Sequence, residues 1–102
     1  MNQIERIKQM ETILDEAAEA LEDLSKALER YESLQADMTA LSDYYGSAEW
    51  RQDLAADEAG ELPSDLRRGV LSEDGIYDLL MEDREMTLRL LQAAVAALEG
   101  RG

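Results

Sequence analysis

The chain has 102 residues, enough for one domain with a modest core, and is 45% hydrophobic and 33% charged, a balance that suits a folded protein. With 24 acidic and 10 basic side chains the formal net charge is −14, so phosphate backbones are repelled and direct nucleic-acid binding is not expected. Cys and His are both absent, which removes disulfides, thiol nucleophiles, the commonest general base and nearly every zinc site. A single Pro, abundant Ala, Leu and Glu, and no defensible strand pattern predict an all-α protein.

The first helix is predicted over about residues 3–44. Asn2 is a good N-cap, with Glu5 three residues on as in a capping box. Apolar or small residues recur at Ile7, Met10, Leu14, Ala17, Leu21, Leu24, Leu28, Tyr31, Leu34, Met38, Leu41 and Tyr45. This spacing is close to the 3.5-residue period of a left-handed coiled coil. Ile13, Ala18, Ala20 and Ala27 widen the stripe enough to touch more than one neighbour.

Gly46 stands where a left-handed C-cap is wanted, and Ser47 can cap a short second helix over about 48–59. Its apolar residues Trp50, Leu54 and Ala55 share one face, and Gly60 closes it. Leu62-Pro63 marks a connector, and PSDLRRG is read as a single turn ending at Gly69. Ser72 caps a third helix over about 73–99, with Glu73 and Asp74 favoured by the helix dipole. Its apolar face is read as Ile76, Tyr77, Leu80, Leu88, Leu91, Ala94, Val95 and Leu98, and Gly75 permits close packing in its first turn.

At 1.5 Å per residue the first helix would be roughly 65 Å long and the third roughly 39 Å, so the third covers only part of the first. A compact globule of this size has a radius of gyration of only about 13 Å. The expected architecture is an elongated antiparallel helical hairpin or three-helix bundle that forms a homodimer through coiled-coil-like packing. MNQIERIKQM lacks the apolar core of a signal peptide, and no apolar run approaches the roughly 18 residues of a membrane span. A soluble, cytoplasmic protein without a membrane role is expected.

The stretch DYYGSAEW, residues 43–50, concentrates Tyr44, Tyr45 and Trp50 around Gly46. Rings that each carry a polar atom suit a corner where helices converge, so packing is the first explanation. DYYGSAEW followed by DEAGELPSDLRRGVLSEDGIYDLL resembles a family of small bacterial proteins known as domain of unknown function 4298. The resemblance covers nearly the whole chain and implies a small, helical, intracellular protein; it carries no catalytic residues over.

A hairpin needs only a short turn, yet residues 46–71 form a composite connector. It is therefore the expected recognition surface for a protein partner, through Tyr44, Tyr45, Trp50, Asp53, Asp57, Glu58, Arg67, Arg68 and the junction with Tyr77. Glu16-x-x-Glu19, Glu29-x-x-Glu32 and Glu82-x-x-Glu85 look superficially like magnesium-binding pairs. The first pair, however, lies opposite the apolar stripe, on the water side. No convergent catalytic group, metal site or cofactor site is recognisable, and a non-enzymatic interaction module is expected. The alternative is an acidic inhibitor imitating nucleic acid. Glu11, Asp15, Glu16, Glu19, Glu22 and Asp23 place roughly one charge per 3 Å of helix axis, against about 3.4 Å along a DNA strand.

Overall fold

The computed structural model describes residues 2–101. They form four α-helices and one 3-10 turn, with no strand among them, so the fold is all-α. The helices are α1 (Gln3–Ser33), α2 (Gln35–Tyr44), α3 (Ala48–Glu58) and α4 (Gly75–Arg101), and the 3-10 turn is Gly69–Leu71. Among the described residues no helix is long and apolar enough to cross a membrane. The chain divides into two units, one up to Met38 and the other from Thr39 onward.

The first unit is almost entirely α1. Its start follows the predicted cap: the Asn2 side chain accepts the Glu5 amide hydrogen at 2.8 Å, satisfying one of the donors a helix start leaves without a partner. Acid in the first turn (Glu5) and base in the last (Arg30) both complement the helix dipole. No residue of α1 is buried, and Ile7, Met10, Leu14, Leu21 and Leu24 are 47–67% exposed. The predicted stripe is wet as far as Leu24, whereas Leu28, Tyr31, Met38, Leu41 and Tyr45 are half-buried.

The helix expected to run unbroken to residue 44 is interrupted at Leu34. Here the Leu34 amide is shared between the carbonyls of Arg30 and Tyr31, both at 3.2 Å. Ser33 Oγ also donates to the Arg30 carbonyl at 2.8 Å, and Gln35 Nε2 donates to that of Tyr31 at 3.1 Å. Side chains thus compete for the acceptors the helix ladder needs, a recognised cause of local distortion. Regular helix resumes at once, with the Met38 amide on the Leu34 carbonyl at 2.9 Å.

The second unit is built around turns. Gly46 has φ +80°, the left-handed conformation expected of a helix C-cap. Ser47 then caps α3 by accepting the Trp50 amide hydrogen at 3.1 Å. α3 ends in a Schellman closure: Glu61 N–H donates to Ala56 O at 2.9 Å and Gly60 N–H to Asp57 O at 3.0 Å, with Gly60 at φ +71°. The following connector differs from the expected single turn. One turn closes with Leu66 N–H on Pro63 O at 3.2 Å, and the separate 3-10 turn begins at Gly69.

Ser72 joins that turn to α4, donating through Oγ to Gly69 O at 2.7 Å and accepting from Gly75 N–H at 3.0 Å. A Cβ at Gly75 would lie 2.3 Å from Gly69 O, so only glycine allows this approach. The buried apolar residues, Leu71 and Ile76, flank the junction. Along α4 the half-buried line continues through Leu80, Asp83, Leu90 and Ala97. Most of the predicted apolar face, Tyr77, Leu88, Leu91, Val95 and Leu98, is instead 45–72% exposed. Leu79, Met81 and Met86 make the helix apolar on several sides, so periodicity alone does not select the face turned inward.

Candidate functional site

The corner between α2, α3 and the 3-10 turn is held by polar tips on aromatic bodies. Tyr45 and Trp50 meet edge to face, with ring centroids 5.3 Å apart and planes at 68°. Trp50 Nε1–H donates to the Val70 carbonyl at 2.9 Å, tying α3 to the 3-10 turn. Tyr45 OH donates to the Glu73 carbonyl at 3.4 Å. Tyr44 OH donates to Asp53 Oδ2 at 2.6 Å. All three rings are half-buried, and each spends its polar atom inside the corner. These contacts tie DYYGSAEW to α3, the 3-10 turn and the residues that lead into α4.

The Tyr44 hydroxyl is pushed up from its usual 10 to about 12. The chief cause is its hydrogen bond to Asp53, which ionisation would destroy. Desolvation and the negative charges of Asp53 and Glu49 add to it. Tyr44 therefore keeps its proton, and the bond to Asp53, above the pH at which an ordinary tyrosine ionises.

The two adjacent arginines separate in role. Arg68 is half-buried and pairs with Asp57, Nη1 to Oδ1 at 3.1 Å. Arg67 is exposed and makes no ion pair among the described residues. It lines two open grooves. One, of about 400 Å³, is walled by Leu41, Val70, Ile76 and Leu79 with Gly69 and Gly75. The other, of about 340 Å³, is walled by Tyr44, Asp53, Leu62, Leu66, Val70 and Leu71.

Of the residues predicted for recognition, the structure brings Tyr44, Asp53 and Arg67 to one groove. Tyr45, Trp50, Asp57 and Arg68 are engaged within the corner. Glu58 and Tyr77 are exposed but line neither groove. Val70 and Leu79 form groove walls that the sequence did not mark, because an apolar residue in a turn or a helix carries no signal distinguishing a wall from a core.

A family model described as Domain of unknown function (DUF4298) matches residues 7–93. The chain belongs to that family. No curated protein and no solved structure matches. The match takes in the whole connector from Gly46 to Leu71 together with most of α1 and α4, so the corner is part of the family's own domain.

On α1 the acidic residues Glu11, Asp15, Glu16, Glu19, Glu22 and Asp23 are all exposed. Lys26 reaches Glu22 at 3.2 Å, so the end of the run carries a base. Among the described residues no cluster of acidic side chains is arranged to hold a metal ion.

Proposed function

We propose that the chain is a non-enzymatic helical interaction module that homodimerises through the α1 stripe and docks a protein partner through its connector corner. The wet stripe carries this reading. Seven large apolar side chains of α1, from Ile4 to Leu24, are 47–67% exposed. Burying the remaining half of each is worth about 1 kcal/mol, on the order of 15 kcal/mol for two chains. Association costs about 4–15 kcal/mol, which leaves roughly 0–11 kcal/mol; a micromolar dimer needs about 8 and lies within that range. The heptad-like spacing suits a coiled-coil partner of the same sequence.

Sedimentation velocity over a concentration series tests the reading. Wild type is expected to be dimeric at micromolar concentration, and Leu14→Glu with Leu21→Glu is expected to be monomeric. A wild-type monomer at every accessible concentration would refute homodimerisation.

A further inference from the structure

We propose that the grooves on either side of Arg67 receive a peptide segment of another protein that carries one carboxylate flanked by apolar side chains. This rests on the reading of the corner as a docking face and names the chemistry of what docks there. The two grooves share Arg67 and Val70 as a common wall. Around that wall Leu66, Val70 and Leu79 are 41–48% exposed, so apolar surface lies on both sides of the guanidinium.

Charge identifies the occupant. Of the bases among the described residues only Lys26 and Arg68 form ion pairs, and Arg67 is set apart from the other bases without one by lining both grooves. The larger groove has no acid among its lining residues. In the smaller one the acid is Asp53, which accepts the Tyr44 hydroxyl at 2.6 Å and forms no ion pair with Arg67. Arg67 is thus an unspent planar donor, and a carboxylate can take its hydrogen bonds as a bidentate pair. A single carboxylate fits better than an acidic run or a phosphate polymer, because a net charge of −14 opposes each further negative charge. Volumes of about 340 and 400 Å³ lie at the low end of the range for ligand sites, about 300–1,000 Å³. Both grooves are open, which suits side chains of a segment lying across the Arg67–Val70 ridge.

The test is selection of a displayed library of random short peptides on the full chain, followed by amide-shift mapping. Enriched peptides are expected to hold one Asp or Glu within a helical turn of apolar residues and to shift the amides of Gly69, Val70, Ile76 and Leu79. Arg67→Ala should weaken binding by about tenfold or more, the usual range for losing a charge-assisted pair, and Arg67→Lys by less. Melting of Arg67→Ala should match wild type, separating recognition from folding. The proposal fails if enriched peptides lack a carboxylate, if Arg67→Ala binds them equally well, or if nothing is enriched. It also fails if decanoate, but no peptide, moves the same amides. Peptides that map to α1 would overturn the groove and leave the interaction module standing; a monomer that enriches nothing would remove both.

Discussion

At the residue scale, the corner distributes work between neighbours that look alike in sequence. Gly46 and Gly75 are both required, for different reasons. Gly46→Ala places a Cβ in open space at φ +80°, so the cost is backbone strain of about 1–2 kcal/mol. Gly75→Ala drives a Cβ to 2.3 Å from a backbone oxygen, and the turn must shift, with an expected loss of about 1–3 kcal/mol. Trp50→Ala should cost about 2–3 kcal/mol in denaturant melts: half-burial reduces the loss expected of a core ring, and the Val70 carbonyl loses its donor. Tyr44 supplies a pH test. Its folded value near 12 exceeds the ordinary 10, so its contribution is complete below pH 10 and is lost as pH rises from 10 to 12. Phenolate absorbance should therefore show one tyrosine titrating near 12, and Asp53→Asn should bring it back toward 10. If Asp53→Asn leaves that titration in place, the hydrogen bond is not its cause. The adjacency of Arg67 and Arg68 gave no hint that one is bound to Asp57 while the other makes no ion pair among the described residues; that division arises where the chain leaves α3 and turns twice before α4.

At the element scale, local chemistry was legible and facing was not. The caps at Asn2 and Ser47 and the left-handed closures at Gly46 and Gly60 depend on a few consecutive residues, and they appear where the residue types require them. The interruption at Leu34 depends on Ser33 and Gln35 side chains bonding backwards to carbonyls, which the same residues do not do in every helix. Facing failed on α4 because Leu79, Met81, Met86 and Leu88 spread apolar side chains over more of its circumference than the junction buries. The connector was legible as a special segment, since composition departs there from the Ala-Leu-Glu background; the grooves were not, because Leu41, Val70 and Leu79 became walls only once the chain folded. A helix whose apolar stripe is wet draws little stability from tertiary packing within one chain. Hydrogen exchange should therefore find α1 amides protected less than those of Leu71 and Leu80, which are hydrogen-bonded and at least half-buried, with α1 protection rising as protein concentration rises. Protection of α1 that is equal to the corner and independent of concentration would show that a single chain stabilises it unaided.

At the scale of the whole molecule, charge decides the response to solvent. Lys26–Glu22 is an exposed pair at 3.2 Å, and pairs of this kind contribute about 0–1 kcal/mol. Arg68–Asp57 is better shielded, its side chains 34% and 28% exposed, and salt weakens it less. Against these stands a net charge of −14, which repels itself within one chain and doubles when two chains meet. The Debye length is about 10 Å at 0.1 M salt and about 30 Å at 0.01 M, so moderate salt removes the long-range repulsion and leaves close contacts largely intact. Melting temperature should therefore rise between those two salt concentrations, and the sedimentation midpoint for dimer formation should move to lower protein concentration. A Leu14→Gln, Leu21→Gln variant, which keeps the net charge at −14 while removing the apolar contacts, separates the two effects: as a monomer its melting should still rise with salt, by less than wild type, because repulsion within one chain persists while repulsion between chains is gone. A melting temperature that falls with salt in both proteins would mean that specific ion pairs, Arg68–Asp57 foremost, outweigh the excess of negative charge.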